Sequence, residues 1–173
     1  CHLSGLSKEE LIKKGEDPTD MAGYFILNGN ERVLITVEDL VSNKLFIEKP
    51  KTGPIKFAAR IFSEKGSYRV PHQIEQTKDG MINLSFTRVK KIPIISIIKA
   101  LGITKDSEIA SHIGSEQKIQ DDIFLNLYST SNLIKRDDAL EFVGKKMNIN
   151  QPPEIKIEKA TEQLDRYLLP HLG

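Results

Sequence analysis

The stretch Lys90-Lys91-Ile92-Pro93-Ile94-Ile95-Ser96-Ile97-Ile98-Lys99-Ala100-Leu101-Gly102-Ile103 places a proline and a glycine at the two ends of an apolar run. Proline fits the first position of a helix, where a missing N–H costs nothing, and glycine fits the left-handed position just past its end. Between them Ile94, Ile95, Ile97, Ile98 and Leu101 cover most of a helical circumference, which predicts a helix buried on nearly all sides. No group in the run offers chemistry. It reads as a core helix, and the rest of the chain sorts around it.

Upstream lie mostly strand signals. Leu6-Ser7-Lys8-Glu9-Glu10-Leu11 is first a complete helix start, with Ser7 to cap, Glu10 to reach back, and Leu6 and Leu11 to form a hydrophobic staple. Gly15 ends that helix after barely two turns. Residues 23–27 and 32–37 then read as strands joined through Asn28-Gly29, a pair that tolerates the positive φ angles of a tight hairpin. Residues 45–47 and 55–62 are further strands. Residues 68–77 and 81–89 flank Lys78-Asp79-Gly80, a second hairpin. Ile82, Leu84 and Phe86 alternate with Asn83, Ser85 and Thr87, the period of a sheet with one buried face. Pro71 marks its strand as an edge, or as interrupted there.

Downstream the period becomes helical. Ile109, Ala110 and Ile113 fit a short helix opening near Asp106, and Ile119, Ile123 and Leu127 recur every four residues through a second. Asp138 and Glu141 read as a capping pair for a third, with Leu140, Val143 and Met147 on one face. Pro152-Pro153 precedes a fourth, with Ile157, Ala160, Leu164 and Leu168 inward and Pro170 as its stop. Strands first and helices later predict an α+β fold: a mostly antiparallel β-sheet with hairpins, followed by a cluster of helices packed on it.

At 173 residues, 39% hydrophobic and 28% charged, the chain suits one globular domain with a small piece attached. The single cysteine, Cys1, allows no internal disulfide and fits a reducing, cytoplasmic setting. The apolar run is far short of the roughly 20 residues that span a bilayer, and no signal peptide is visible, so no membrane partner is expected. A chain that opens on Cys-His and closes on His-Leu-Gly reads as a piece of a longer protein. Net charge is +1, but residues 51–100 hold ten Lys or Arg against three Asp or Glu. The first fifty residues hold six against nine, and residues 101–173 nine against twelve. A basic middle between acidic ends is compatible with one face meeting a polyanion, as it is with lysines that merely solvate exposed strands.

The motifs share a resemblance. Lys-x-Ile-Pro-Ile-x-x-Ile-Ile-Lys-Ala-Leu-Gly at 90–102 resembles a segment of the lobe domain in the second-largest subunit of multisubunit RNA polymerases. Gly-Glu-Asp-Pro-x-Asp at 15–20 and Gly-Tyr-Phe-Ile-x-Asn-Gly-x-Glu-Arg-Val-Leu-Ile at 23–35 are similar to the end of the adjoining protrusion domain, in its archaeal form. Ala22 stands where many relatives have a second glycine. Asp-x-Glu-Ile-x-x-His-Ile at 106–113, Ala-Leu-Glu-Phe-Val-Gly-Lys-Lys at 139–146 and Leu-Leu-Pro-His-Leu-Gly at the end continue the likeness in order. It implies residues 1–41 as the terminal segment of the protrusion and residues 42–173 as the lobe of an archaeal DNA-directed RNA polymerase. It further implies a non-catalytic part of a nucleotidyltransferase, one wall of the downstream-DNA cleft, with Mg²⁺ bound elsewhere in the intact enzyme and no cofactor in this part. The implied partners are other polymerase subunits, downstream double-stranded DNA and, in a second reading, a transcription initiation factor for which this surface is chiefly a docking module. An independent hydrolase has no residues to support it.

Asp121-Asp122 and Asp137-Asp138 are the carboxylate pairs that an acid/base or metal site would need. Asp137 and Asp138 sit where a helix begins and satisfy free N–H groups there, while Asp121 and Asp122 lie on a helix with at least one facing solvent. His2, His72, His112 and His171 match no zinc spacing, and His112 suits a helix C-terminus. Tyr24, Phe25, Phe57, Phe62 and Phe86 read as core. Lys90 and Lys91 are less easily explained, because two cations just before a helix N-terminus oppose its dipole. An anion should answer them, either an internal carboxylate or, given the resemblance, a DNA phosphate. With Lys65, Arg69 and Arg88 in the same basic segment, Lys65, Arg69, Arg88, Lys90 and Lys91 are the DNA-contact candidates.

Overall fold

A computed structural model describes residues 5–87, 89–114 and 116–173. The chain divides into two compact units, Cys1–Asp39 and Leu40–Gly173. In the first, α1 (Lys8–Lys13) begins as its sequence dictates: the Ser7 N–H donates to Glu10 Oε2 at 2.8 Å, and the Glu10 N–H donates back to Ser7 Oγ at 3.4 Å. β1 (Phe25–Leu27) and β2 (Asn30–Arg32) pair antiparallel about Asn28 and Gly29, both at positive φ. The strand expected to reach residue 37 stops at Arg32. A run of β-formers becomes a strand only where a neighbour supplies donors and acceptors. None of the described strands pairs with residues 33–37, and Val33, Leu34, Ile35 and Val37 stay exposed.

The second unit is a five-stranded antiparallel meander with helices on one face. Its strands are β3 (Phe46–Glu48), β4 (Ile55–Lys65), β5 (Tyr68–Thr77), β6 (Ile82–Phe86) and β7 (Val89–Pro93), in that spatial order. The strand expected over 81–89 is split, because Thr87 adopts a left-handed conformation and turns the chain into β7. Nor is Pro71 on an edge strand, since β5 is central. It lies opposite Phe62 of β4 and one residue beyond the last β6 pairing, His72 with Phe86, so no β6 residue needs the N–H it lacks. Register puts Ile61, His72 and Phe86 in one cross-strand row and Ala59, Ile74, Leu84 and Ile92 in the next, both toward the helices. The opposite parity, Arg60, Gln73 and Ser85, forms the outer face.

The helices are α2 (Ile94–Ala100), α3 (Asp106–Ile113), α4 (Gln117–Ser129), α5 (Arg136–Lys146) and α6 (Pro153–Tyr167), with a closing 3-10 turn at Pro170–Leu172. α2 belongs to two cores at once. Ile97 and Ala100 pack with Leu84, Phe86, Ile92 and residues of α5 and α6, while Ile95 packs with Ile109, Ala110, Ile123 and Leu127 of α3 and α4. Each such buried side chain is worth about 1.5–3 kcal/mol over an exposed one. Two expectations for α2 need correction. Pro93 is the residue before the helix, extended at ψ 128° because it still pairs with Asn83 in the sheet. Leu101, the C-cap, is 56% exposed and lies beyond both cores. Gly102 does end the helix at φ +115°, its N–H on Lys99 O and that of Ile103 on Ile98 O. At α5 the cap is Asp138 accepting from the Lys135 N–H at 3.0 Å. Glu141, expected as its capping partner, instead pairs with Lys145 one turn on, because the helix already begins at Arg136.

Three buried polar side chains bind these layers. Lys99 is 2% exposed, and its ammonium meets Asp106 Oδ1 at 2.9 Å, Leu133 O at 3.1 Å and Thr130 O at 3.4 Å. Asn126 on α4 donates to Gly80 O and accepts the Ile82 N–H, fastening the β5–β6 turn. His72 accepts the Leu169 N–H at Nε2 (3.1 Å), which leaves Nδ1–H to donate to Val70 O (3.1 Å). Beside it His171 Nδ1 meets Ser63 Oγ at 2.7 Å, so two histidines distant in sequence pin the closing turn to the sheet.

Lys99→Met keeps the buried stem and removes the ammonium, taking the ion pair from Asp106 and a donor from the Leu133 and Thr130 carbonyls, the second of which keeps the Leu133 N–H. Its urea midpoint should fall by the equivalent of about 2 kcal/mol at unchanged m-value, and Lys99→Ala should lose more because it adds a cavity.

Burial, aided by repulsion from His171, pushes the His72 pKa down against its bond to Val70, which favours the charged form. The unfolded chain, with an ordinary histidine value of about 6.5, therefore binds more protons than the folded one as pH falls through that value. Stability from this group is present above pH 6.5 and should decline below it, levelling once pH is under the folded value. Thermal midpoints taken from pH 8 to pH 5 should show the decline. His72→Phe should be less stable at pH 8 but flatter in this window.

Candidate nucleic-acid interface

Between the pairs Leu84–Ile92 and Phe86–Val89, β7 carries one residue more than β6, so Lys90 and Lys91 together stand opposite Ser85. This is a β-bulge, and Lys91 takes φ +54°, its N–H held by Ser85 Oγ at 3.0 Å. In a regular strand two successive side chains would point to opposite faces. Here both lysines are exposed, while Ile92 immediately after them is fully buried. A left-handed conformation costs a residue with a Cβ about 1–2 kcal/mol, and lysine has no local side-chain bond that offsets it.

Lys90 stands at the edge of a cleft of about 450 Å³ lined also by Arg60, Phe62, Gln73 and Ser85 of the outer face. The Arg69 guanidinium lies over the Phe62 ring, 4.4 Å from its centre, and donates to Leu40 O at 3.0 Å. Arg60 pairs with Glu48 at 3.0 Å. Lys90 thus shares the cleft on the outer face with Phe62, the ring that Arg69 overlies. Lys65 is placed elsewhere: it pairs with Tyr68 on the helix-facing parity and lines a hollow with Asp165 and Arg166. Arg88 lies outside the described residues. No ion pair among the described residues involves Lys65, Lys90 or Lys91, so no internal carboxylate among them answers the two bulge lysines.

A second basic locus was not singled out from the sequence. Lys49 and Lys56 both approach the ring of Phe57, at 5.8 and 6.0 Å from its centre, and Phe57 is 39% exposed. Lys51 and Lys78 sit in the adjoining loops, which the Lys78 N–H joins by donating to Pro54 O at 2.9 Å. The signal was present as lysines in a Pro/Gly loop, but it needed the two loops to be brought together. Phe25 is likewise exposed rather than core, whereas Phe86 is buried.

The carboxylates singled out from the sequence act as structure. Asp122 accepts from Gln76 and Asp121 from Gln117, and His112 Nδ1 bonds Glu108 O within its own helix. Among the described residues no three His, Cys, Asp or Glu side chains are grouped to hold a metal. No described helix is long and apolar enough to cross a membrane.

The architecture is that of an α+β domain whose sheet displays cations and whose carboxylate pairs, among the described residues, serve local structure. Residues 42–173 match the family described as RNA polymerase Rpb2, domain 2, and the chain belongs to that family. It is 43% identical over 173 residues to DNA-directed RNA polymerase subunit Rpo2 of Saccharolobus shibatae, an alignment covering 99% of this chain and 15% of that subunit. It is 40% identical over 178 residues to subunit Rpo2N of Methanocaldococcus jannaschii, covering 100% of this chain and 36% of that one. With Rpo2N of Halobacterium salinarum it shares 37% over 174 residues, 99% of this chain and 33% of the relative. The chain therefore spans between 15% and 36% of the length of these relatives. The resemblance read from the motifs is correct as to family and as to its archaeal character.

Lys91→Gly removes the left-handed strain while leaving the Ser85 bond to the backbone. The domain should gain roughly 0.5–1 kcal/mol, read as a higher denaturation midpoint; a fall would mean that the Lys91 side chain contributes more to the fold than its strain costs.

Proposed function

We propose that residues 42–173 form the lobe of an archaeal RNA polymerase and that the bulge lysines Lys90 and Lys91 face the phosphates of downstream double-stranded DNA. The observation carrying this reading is the strained, exposed Lys91 next to Lys90, which has no ion-pair partner among the described residues. Strain kept at a surface position, with no charge among the described residues to reward it, points to a partner outside the domain. Arg69, placed over Phe62 of the cleft that Lys90 shares, is the third member of the interface. Lys65 would reach only DNA that passes around the β4–β5 turn, and Arg88 remains a candidate by sequence.

In this reading the domain walls the cleft and does no chemistry, while nucleotidyl transfer with Mg²⁺ occurs elsewhere in the assembled enzyme, in the cytoplasm. Residues 1–41 are the end of the neighbouring protrusion, and the exposed apolar run 33–37 is a surface that other parts of the subunit would cover. Phosphate contacts are sequence-independent and release counterions.

Reconstituted polymerase carrying Lys90→Glu and Lys91→Glu should retain downstream DNA less well whatever its sequence. Its salt slope should be shallower by about one unit for each phosphate no longer neutralised. Unchanged retention and slope would remove the DNA assignment. If recruitment of an initiation factor fell instead, the docking reading of this surface would take its place.

A further inference from the structure

α4 has more apolar residues than its core face uses. Ile123 and Leu127 are buried in the core shared with α2 and α3, but Phe124 and Tyr128 form a second stripe at helical spacing, 56% and 81% exposed. Across from them α3 presents Asp106, Ala110 and Ser111, and the two helices enclose a groove of about 770 Å³ with Leu127 in its lining. Single exposed apolar residues are ordinary, but two aromatic rings along one hollow form a contiguous patch. Along α4 the groove runs from Gln120 to Tyr128, about 12 Å at the rise of a helix, or just over two turns.

Charge narrows what fits there. Residues 106–131 hold five acidic side chains against one lysine. Lys99 engages Asp106 and Gln76 engages Asp122, whereas Glu108, Glu116 and Asp121 are exposed. Carboxylates repel nucleic acid, and an aromatic stripe is satisfied by apolar side chains. A helix laid into such a groove uses apolar residues at i and i+4, and flanking lysines or arginines would face the exposed Glu108 and Asp121 carried by the same two helices.

From this we infer that the α3–α4 groove is a protein-docking site for a cationic amphipathic helix of a partner polypeptide. The inference is independent of the DNA reading, because it uses other elements and charge of the opposite sign.

The test uses the 173-residue chain and three synthetic probes. One is a leucine/lysine peptide of about 15 residues with helical spacing, one its leucine/glutamate counterpart, and one an oligolysine of equal charge. Fluorescence anisotropy should show the leucine/lysine peptide binding at least tenfold more tightly than either of the others. Phe124→Ser with Tyr128→Ser should weaken that binding at least tenfold at an unchanged thermal midpoint, since both rings are largely exposed. Asp121→Asn with Glu108→Gln should weaken it less and flatten its salt dependence. The inference is overturned if the leucine/lysine peptide does not bind, if oligolysine or the glutamate peptide binds as well, or if the aromatic double variant binds unchanged. If the double variant lowers the midpoint, Tyr128→Ser alone, at the more exposed position, decides by the same criterion.

Discussion

One buried ammonium is the point on which the helical layer depends. Lys99 leaves the end of α2 and reaches the first residue of α3, the residue capping the end of α4 and the connection into α5. A charge placed at 2% exposure is tolerable only when all its donors are used, and here a carboxylate and two carbonyls use them. The Leu133 carbonyl gains a donor from the ammonium, and the Thr130 carbonyl, which already accepts the Leu133 N–H at 3.0 Å, gains a second. The same group therefore satisfies three elements and sets the distance between them, which a leucine at that position could not do.

α2 is the mechanical counterpart of that charge. It is only two turns long and too short to stand alone, so its helicity comes from being buried in two cores. β7 runs directly into it through Pro93, so any shift of the helix is transmitted to the bulge where Lys90 and Lys91 are displayed. Close packing elsewhere makes the arrangement stiff. At Gly144 of α5 a Cβ would lie 2.6 Å from Lys156 Cγ of α6, so a larger residue there would displace the Lys156 side chain packed between the two helices. The polar tethers, Asn126 to the β5–β6 turn and His72 with His171 to the closing turn, then fix the sheet against the helices.

The surface is divided by charge in a way that follows from this layering. The β7 bulge and the loops beside the sheet carry the exposed Lys51, Lys78, Lys90 and Lys91, and the α3–α4 pair carries exposed carboxylates and two exposed aromatic rings. Opposite fields on different elements are what the two proposed partners, DNA and a cationic helix, would each require. Net charge, at +1, hides this entirely.

Local signals that act over a few residues were decided by the sequence alone: the Ser7–Glu10 capping box, the Asn28-Gly29 turn, the Gly102 stop of α2, the alternation in β6 and the order of strands before helices. Each depends on bonds within a turn or on side-chain period, so nothing distant could override it. The quoted motifs also sufficed for the family. The tertiary structure decided everything that needed a neighbour. Residues 33–37 form no strand for lack of a described partner, Thr87 divides one expected strand into two, and Pro71 sits in a central strand because β6 ends beside it. Lys99 became the anchor of its apolar run only when Asp106 and the Thr130 and Leu133 carbonyls came within reach. Lys90 and Lys91 were visible as two cations in the wrong place for a dipole. That they share one surface follows from a single extra residue in β7, and register is a property of paired strands, which no one strand's sequence contains.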